Sequence, residues 1–473
     1  MHHESIQPPR STSPPAGASL GSLTALAFTL AVLLGAGQSP VAACSQRAAE
    51  VGIVIAPQAS PTGYAVPATA IPVHNTTELA NLVAYSPVQN WIPMDIVLED
   101  GVYDPGPLPN GFLSLHGSHR LWARNVAGAV LQFGIAIISP ANLALEGGVE
   151  LHGLAFDIAD ELHGVRANPP HFSAAVMSWG TGRNLVIEDS VFYGNGAIDS
   201  AIHAAQADGL EVRRVRIHGF KRFGVFTSIS NGFGWNQDAV LEDLRIAHVG
   251  DNEWARSFPV GHEDYDPAYP NYDPADPYEH TEEIGIWMGV PARLSRAYIR
   301  DVARGGVVAA GVTEGSVFED LDVDHIGWRD TGPNAVRGAG LYFDNTSIES
   351  VYQRFCVGPD VEKGLISEWD NNTFPRGIRN TVRDGLLEST WLGVGFDQGT
   401  VDSRAENLYF RNASWAGLTI YNNVWPNDHL ETIEALYTGL HDVGLPPGSC
   451  LVTAHHPNNL PPCTTPPPNP QNP

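Results

Sequence analysis

The chain of 473 residues carries 52 acidic and 26 basic side chains, which gives a formal net charge of −26. Such an excess of negative charge excludes strong electrostatic binding to nucleic acid or to an anionic membrane. A hydrophobic content of 43% is ample for a buried core, and 48 glycines with 37 prolines are typical of a turn-rich β protein.

The first 43 residues predict an export signal. An apolar run from 23 to 36 is too short to span a bilayer and fits the hydrophobic segment of a signal peptide. The sequence Val41-Ala42-Ala43-Cys44 then resembles a bacterial lipobox, in which Cys44 becomes the lipidated first residue. Ordinary cleavage after Ala43 is the alternative. Both interpretations predict an extracytoplasmic protein, secreted or lipid-anchored at the bacterial cell surface, with a lipid as its only attachment to a membrane.

Four cysteines fit an oxidising compartment. If Cys44 carries a lipid, Cys450 and Cys463 are predicted to form a disulfide near the C-terminus. Cys356 is then left as a free thiol. The alternative is that none of the cysteines is paired.

Composition divides the rest of the chain into three parts. Residues 44–70 are rich in Ala, Pro, Gly, Ser and Gln and predict a linker. Residues 71–430 contain sequence repeats, and Thr76 to Tyr85 near their start predicts a short helix. Residues 431–473 predict a short helix and a Pro-rich C-terminal tail.

Two strand patterns alternate along the repeats, and both have apolar side chains at every second position. This period predicts half-buried strands, and the i, i+3, i+4 spacing of a helix is absent. Successive copies of the second pattern end at residues 299 and 323, a spacing typical of one supersecondary repeat. The first pattern is led by Gly224, Gly285, Gly306, Gly340, Gly364, Gly393 and Gly417, and the second begins at Val215, Leu244, Ala297, Leu321, Phe355 and Leu408.

Consecutive strands joined by short turns run parallel only when the chain coils around a common axis. The repeats therefore resemble the right-handed parallel β-helix, or pectate-lyase-like, superfamily. The resemblance implies an all-β solenoid over residues 71–430 with an N-terminal capping helix. It implies no single activity, because this scaffold hosts many and the polygalacturonase and pectate-lyase signatures are absent. The Gly-led strands should stack Leu341, Leu365, Val394 and Leu418 inside.

Three acidic residues lie at the same position of successive Gly-led strands, four residues after the glycine. Alternation of side chains predicts that Asp344, Glu368 and Asp397 point outward on coils ~4.8 Å apart. Like charges at that spacing require a shared proton or a cation. The stack therefore predicts the paired catalytic carboxylates of a glycoside hydrolase or a calcium site. Side chains that diverge on a solvated surface are the alternative.

Aromatic residues near this stack predict a sugar-binding surface, because ring faces pack on the apolar faces of sugars. The candidates are Trp287, Tyr342, Trp369 and Tyr421. A long acidic insertion over residues 250–283 adds candidate calcium ligands, although their spacing matches no EF-hand. A solvated acidic loop is equally compatible with this composition. The candidate ligands are Asp264, Asp266, Asp273 and Asp276.

The outward positions of the second strand pattern offer a competing site. A polysaccharide lyase needs a base and a cation near a uronate, and Arg, His and Tyr residues occur at these positions. A neighbouring position alternates in charge and favours a structural role, namely ion pairs between coils. The lyase candidates are Arg216, His218, Arg245, Tyr298, Arg300, Asp322 and Asp324, and the ion-pair series is Arg214, Asp243, Arg296 and Asp320.

These features predict a monomeric extracellular enzyme that cleaves a polysaccharide by paired carboxylates, as a hydrolase in preference to a lyase. Calcium is the only cofactor expected. The net charge favours a neutral glycan or a metal-assisted site, because an acidic protein repels polyuronates. The alternatives are a non-catalytic surface or glycan-binding β-helix and a scaffold for protein partners.

Overall fold

A computed structural model describes most of the chain after residue 43. The chain divides into two units, Met1–Ala43 and Cys44–Pro473, and the first, with the predicted export signal, lies outside the described residues. The described ranges are 44–60, 63–84, 94–115, 119–138, 148–166, 173–179, 184–205, 209–228, 239–250, 283–310, 313–327, 338–343, 347–359, 361–367, 378–388, 390–396, 400, 402–420 and 436–454.

The described residues form a parallel β-helix of 31 strands. Strands pair in parallel with their equivalents on neighbouring coils, and β10 with β11 is the one antiparallel pair in the described ranges. The predicted fold class is confirmed. The first strands are β1 (Ile71–Val73), β2 (Met94–Leu98), β3 (Gly101–Tyr103), β4 (Leu113–Leu115), β5 (His119–Ala123), β6 (Ala129–Leu131), β7 (Ile135–Ile138), β8 (Glu150–His152), β9 (Ala155–Asp157), β10 (Val165–Arg166) and β11 (Ser173–Trp179). The middle strands are β12 (Val186–Glu188), β13 (Val191–Tyr193), β14 (Ser200–Ala205), β15 (Glu211–Arg213), β16 (Arg216–Phe220), β17 (Phe223–Ser228), β18 (Ala239–Val249), β19 (Ile284–Met288), β20 (Ala292–Val302), β21 (Gly305–Ala309) and β22 (Val317–Ile326). The last strands are β23 (Ala339–Phe343), β24 (Val351–Val357), β25 (Val361–Ser367), β26 (Thr381–Glu388), β27 (Thr390–Phe396), β28 (Arg404–Arg411), β29 (Ala416–Ile420), β30 (Leu436–Asp442) and β31 (Cys450–Ala454).

Each complete coil contributes to three parallel sheets. From β18 onward, one long strand per coil bends at a corner, so its first half lies in sheet A and its second half in sheet B. The Gly-led strands form sheet C. Sheet A begins with β1, β2, β5, β8, β12 and β15, sheet B begins with β3, β6, β9, β13 and β16, and sheet C contains β4, β7, β11, β14, β17, β19, β21, β23, β25, β27, β29 and β31.

The core lies between the three sheets. Inward side chains stack on their equivalents in the next coil, as the pleat predicts. Leu341 pairs with Leu365, Leu365 with Val394, and Val394 with Leu418, and all four are fully buried. The predicted internal stack is therefore confirmed.

Glycine leads the strands of sheet C because the neighbouring backbone leaves no room for a side chain. A Cβ atom on Gly306 would lie 2.3 Å from the carbonyl oxygen of Gly340 and 2.8 Å from Val323. The same crowding recurs at Gly393, whose Cβ would lie 2.3 Å from the carbonyl oxygen of Gly417. The repeated glycine therefore marks positions where the backbone of the next coil in sheet C leaves no room for a Cβ atom.

Sheets A and B meet at a corner where one residue per coil has a left-handed backbone, with φ between 50° and 58°. Charge alternates along this corner, and each arginine makes bidentate hydrogen bonds with an aspartate of the preceding coil. Arg214 donates to Asp189 at 2.7 and 3.1 Å, and Arg354 donates to Asp320 at 3.0 and 2.9 Å. The predicted alternating ion pairs are confirmed. The corner residues are Asp189, Arg214, Asp243, Arg296, Asp320 and Arg354.

A short helix covers the N-terminal end of the solenoid. Helix α2 (Thr76–Ala84) buries Leu79 and Val83 in the core. The side chain of Asn75 caps it by accepting a hydrogen bond from the backbone N–H of Glu78 at 2.9 Å. The predicted capping helix is confirmed. A shorter helix, α1 (Cys44–Glu50), precedes it in the chain.

Residues 44–60, which we term the N-terminal strap, run along the outside of the corner toward earlier coils. The backbone N–H of Ala56 donates to Asp320 at 3.1 Å, and that of Ala59 donates to Asp243 at 2.7 Å. Three extended residues span ~10 Å, which matches two coil spacings of ~4.8 Å. The strap is therefore in register with successive corner aspartates, which lie two coils apart. Composition predicted a linker here, but the buried carboxylates accept its N–H groups and order it.

A disulfide anchors the strap at its start. Cys44 begins helix α1 and is bonded to Cys356 of β24, and both residues are fully buried. A sulfur atom in a disulfide cannot also carry a lipid thioether. The predictions that Cys44 is lipidated and that Cys356 is a free thiol are therefore corrected. No helix in the described ranges is long and apolar enough to cross a membrane.

The solenoid continues past residue 430. Strands β30 and β31 pair in parallel with β28 and β29. The described part of 431–473 therefore contains strands, where a short helix was predicted. Cys450 in β31 is disulfide-bonded, and its predicted partner Cys463 lies outside the described residues.

Candidate functional site

Most of the predicted site residues lie outside the described ranges. In sheet C the residues that precede the three predicted catalytic carboxylates, Phe343, Ser367 and Phe396, pair in register on successive coils. That register is the one on which the predicted stack depends. The predicted residues outside the described ranges are Asp344, Glu368, Asp397, Trp369, Tyr421, Asp264, Asp266, Asp273 and Asp276.

Two predicted sugar-binding residues lie on the outer face of sheet C. Trp287 and Tyr342 are half-buried and pack against one apolar cluster that contains Phe223 and Val308. The ring of Trp287 also stacks on Phe226, with centroids 6.1 Å apart. This face therefore presents a strip of partly exposed aromatic rings across several coils.

Polar side chains line the outer face of sheet B in two rows. The pleat places every second residue of each strand on this face, and parallel register aligns the coils. The two rows include the seven residues that the second strand pattern predicted to point outward. The first row is Arg216, Arg245, Tyr298, Asp322 and Cys356, and the second is Tyr193, His218, Ala247, Arg300 and Asp324.

Arg300 connects the polar residues at the centre of this face. Its Nε donates to Asp301 Oδ2 at 2.8 Å and lies 4.0 Å from Asp324 Oδ1. Its Nη1 donates to the hydroxyl of Tyr298 at 3.4 Å. The guanidinium carbon of Arg245 lies 5.3 Å from the centroid of the Tyr298 ring. The carboxyl groups of Asp301 and Asp324 and the phenol of Tyr298 thus surround the Arg300 guanidinium.

The two carboxyl groups next to Arg300 have opposite pKa shifts. Burial alone would raise the pKa of Asp301, but hydrogen bonds from His325 and Arg300 outweigh it and lower that pKa. Burial, together with the smaller effect of neighbouring carboxylates, raises the pKa of Asp324 to about 6 against the opposing effect of Arg300. Burial also raises the pKa of Tyr298. Near neutral pH one carboxyl group is therefore ionised and the other exchanges its proton readily.

The residue that follows the second row on each coil forms a second corner, which the sequence interpretation missed. His248, Asp301 and His325 occupy it on successive coils with φ between 53° and 55°. His325 Nδ1 hydrogen-bonds Asp301 Oδ1, and His248 Nε2 lies 3.7 Å from Asp301 Oδ2. The sequence could have predicted this corner, since each of the three residues directly follows an aligned outward residue of the repeat.

We call Tyr298, Arg300, Asp301, Asp324 and His325 the acid–base cluster. The Asp324 side chain is 20% exposed, so solvent reaches it, whereas the Asp301 side chain is 9% exposed. Asp324 Oδ1 has no hydrogen-bond partner in the described part of the chain, although it is buried. An unpaired buried carboxyl oxygen is costly unless it is protonated or bonds to a ligand. The described residues contain no group of three or more His, Cys, Asp or Glu able to hold a metal ion.

Comparison with known proteins identifies no family. No family model matches the chain, and no curated protein matches it. Among solved structures, the catalytic domain of Agl-KA has a TM-score of 0.47 at 11% identity, over 84% of this chain and 69% of that chain. The catalytic unit of a thermostable GH87 alpha-1,3-glucanase from Streptomyces thermodiastaticus has a TM-score of 0.40 at 12% identity, over 85% and 70%. The A-module of the Azotobacter vinelandii mannuronan C-5 epimerase AlgE6 has a TM-score of 0.32 at 10% identity, over 81% and 95%. Similarity at this level carries no argument about the chemistry of this chain.

Proposed function

We propose that the protein is an exported, monomeric enzyme that cleaves an extracellular polysaccharide at the acid–base cluster. The observation that supports this proposal is the opposite pKa shift of two carboxyl groups that share Arg300. Asp301 is kept ionised, and Asp324 titrates at about 6. Carboxyl groups whose environments separate their pKa values are the usual acid and base of glycoside hydrolysis.

In the proposed hydrolysis Asp324 is the general acid. Its carboxyl proton passes to the glycosidic oxygen as the bond from that oxygen to the anomeric carbon breaks. Water adds to the anomeric carbon, and the proton that this water loses passes to the Asp324 carboxylate, which restores the acid. Asp301 stays ionised and stabilises the positive charge that develops on the sugar, while Arg300 orients Asp301 through a hydrogen bond and forms a looser ion pair with Asp324.

A polysaccharide lyase is the second candidate, because Tyr298 lies between two arginines on the same face. In that reaction a base removes the proton next to a uronate carboxylate, and a cation stabilises the resulting enolate. Tyr298 is a poor base at neutral pH, because burial raises its pKa. The phenol would act better as a proton donor than as a base, so hydrolysis is favoured.

The aromatic strip on sheet C supports a second contact with the glycan. Trp287 and Tyr342 present partly exposed rings on two coils of this sheet, with the coil of Val308 between them. Aromatic faces and sugars associate through apolar contact, so the strip would bind a chain without cleaving it. Calcium bound by the acidic insertion remains a proposal, as do the predicted carboxylates of sheet C.

The test is a screen of soluble glycans against the purified protein. New reducing ends measure any cleavage, and ultraviolet absorbance measures the unsaturated ends that only a lyase produces. The variant Asp324→Asn should lower turnover by about 10²–10⁴-fold, the usual contribution of general acid catalysis. Asp402→Asn removes an exposed carboxyl group elsewhere and should leave turnover unchanged. Full turnover in Asp324→Asn would exclude Asp324 as the acid.

A further inference from the structure

Two arginines occupy equivalent positions on neighbouring coils of sheet B. Arg216 pairs in register with Arg245 of the next coil, and both side chains lie on the outer face. Equivalent residues on neighbouring coils are ~4.8 Å apart at the backbone. Within the described part of the chain, neither arginine forms an ion pair or a hydrogen bond with a protein group. Two arginines in direct register thus have no carboxylate to neutralise them within the described part of the chain.

Two residues earlier on the same two coils, the charged side chains do form ion pairs. At the corner between sheets A and B, the chain places Arg214 on one coil and Asp243 on the next, and each belongs to a bidentate ion pair. At Arg216 and Arg245 the alternation fails, although the chain is rich in acidic residues. Like charges in direct register destabilise a sheet unless a counter-ion lies between them. The exception therefore points to an external anion.

The environment of the pair suits a carboxylate on a sugar. Arg245 stacks over the Tyr298 ring at 5.3 Å, which holds its guanidinium in place. Tyr193 and His218 follow in the adjoining row, with ring centroids 6.4 Å apart. Aromatic rings beside a guanidinium fork offer apolar contact and bidentate hydrogen bonds together, as an acidic sugar requires.

The pair also lies at a useful distance from the acid–base cluster. Arg245 is one coil from Tyr298 and two coils from Asp324, which is ~9.6 Å along the solenoid axis. A polysaccharide lying along the axis would therefore reach the pair and the proton donor with neighbouring sugars.

We propose that Arg216 and Arg245 form a subsite for the carboxylate of an acidic polysaccharide, so that the substrate class is a uronate-containing glycan. This inference rests on the proposed function, whose acid–base cluster defines where the chain is cleaved. It departs from the neutral glycan that net charge alone favours, because the local charge at the subsite is positive.

Binding is the test, since it does not require turnover. Polygalacturonate and alginate, each alongside its carboxyl-reduced counterpart, are titrated against the wild-type protein and against Arg216→Gln, Arg245→Gln and the double variant. We expect at least one of the two polymers to bind, with affinity at least tenfold lower in the double variant and a weaker dependence on salt. The carboxyl-reduced polymer should bind poorly to every form. Arg404→Gln removes one exposed positive charge elsewhere on the solenoid and should bind as the wild type does.

Equal binding of the double variant and the wild type would overturn the inference, as would tight binding of the carboxyl-reduced polymer or no binding of either polyuronate. Loss of turnover in Asp324→Asn on a neutral glycan, with unchanged binding in the arginine variants, would refute this subsite and keep the proposed function. Loss of polyuronate binding in the arginine variants, with full turnover in Asp324→Asn, would support this subsite and refute the proposed role of Asp324.

Discussion

Asp324 is the residue on which most of the proposed chemistry depends. Its carboxyl group lies among Arg300, Asp301 and Asp322, and burial makes its charged form unfavourable. A proton donor has to be protonated before the reaction and close to releasing the proton at the working pH. A pKa of about 6 meets both conditions for a mildly acidic environment.

The pH dependence follows in sign from this raised pKa. Activity should fall as pH rises through about 6, because Asp324 loses the proton it must donate. Folding stability should fall as pH rises from about 4 to about 6, since over this range Asp324 stays protonated in the folded state and ionises in the unfolded chain. Asp324→Asn should therefore stabilise the protein relative to the wild type at pH 8 by about 1–2 kcal/mol and lose this advantage near pH 4. Thermal unfolding at both pH values measures the difference, and an advantage at pH 4 alone would contradict it.

A second prediction at the residue scale concerns the glycines of sheet C. Gly306→Ala should destabilise the fold by about 1–3 kcal/mol, because the new methyl group overlaps the carbonyl oxygen of Gly340. Gly63→Ala is the control, since a Cβ there meets no atom within 4 Å. Urea unfolding compares them, and an equal effect of the two substitutions would show that backbone entropy, rather than crowding, selects glycine.

At the scale of elements, the corner between sheets A and B holds neighbouring coils together through ion pairs. Arg296 donates to Asp243 at 2.6 and 3.0 Å, and the Asp243 side chain is only 3% exposed. Hydrogen bonds from Arg296 and Ala59 lower the pKa of Asp243 against the effect of burial. A buried carboxylate with these donors depends on them far more than an exposed one does.

Removing one arginine from this corner should therefore cost more than removing a surface arginine. Arg296→Gln should destabilise the protein by about 2–4 kcal/mol, because it leaves Asp243 buried with fewer donors. Arg379→Gln breaks an exposed pair with Glu349, in which both side chains are at least 50% exposed, and should cost about 0–1 kcal/mol. Chemical denaturation at neutral pH gives both values. Equal costs would mean that the corner pairs are no better protected from solvent than the surface pair.

The sequence predicted those elements best whose pattern recurs within the repeats or is complete within a short segment. The two strand patterns, the stack of Leu341 and Leu365, the corner ion pairs and helix α2 all follow from local periodicity and are confirmed. The path of the N-terminal strap was not predictable, because Ala56 and Ala59 offer only backbone N–H groups, which any residue other than proline carries. The acid–base cluster was partly predicted: its rows follow from the pleat, but the pKa difference depends on burial, which a single sequence does not reveal.

At the scale of the whole molecule, the strap ties the N-terminal end of the described chain to coils far along the solenoid. Cys44 and Cys356 are separated by 312 residues in sequence. Next to this disulfide, helix α1 covers Asp322, whose carboxylate accepts a hydrogen bond from the backbone N–H of Ser45 at 3.1 Å. The strap thus connects coils that have no direct contact with each other.

Loss of the disulfide should release the strap without unfolding the solenoid. Cys44→Ser should lower the melting temperature by several degrees, because a crosslink over a long loop reduces the conformational entropy of the unfolded chain. It should also expose the strap to proteolysis, because the disulfide no longer anchors the start of the strap. Limited proteolysis followed by mass spectrometry locates the cuts. Ser45→Ala, which keeps the disulfide and the backbone N–H, should protect the strap as the wild type does. Resistance of Cys44→Ser to protease would show that hydrogen bonds alone hold the strap.

Mass spectrometry of the exported protein tests the predicted processing. We expect the mature chain to begin at Cys44 and to carry an intact crosslink to Cys356, without a lipid. A lipid on Cys44 would contradict the disulfide, and a retained leader would contradict cleavage at this position.

If the protein is exported as proposed, the strap would also constrain the order of assembly. The partner of Cys44 lies more than 300 residues downstream, so the first segment to emerge after the predicted cleavage site has no docking surface until the coil of Cys356 has formed. Solenoid coils can fold one after another as they appear, since each needs only its predecessor. Helix α1 would therefore dock only after the coil of Cys356 has formed, while the coils from β25 onward still have to be added. Export would leave the face of sheet B around Asp322 uncovered until the chain has crossed as far as Cys356.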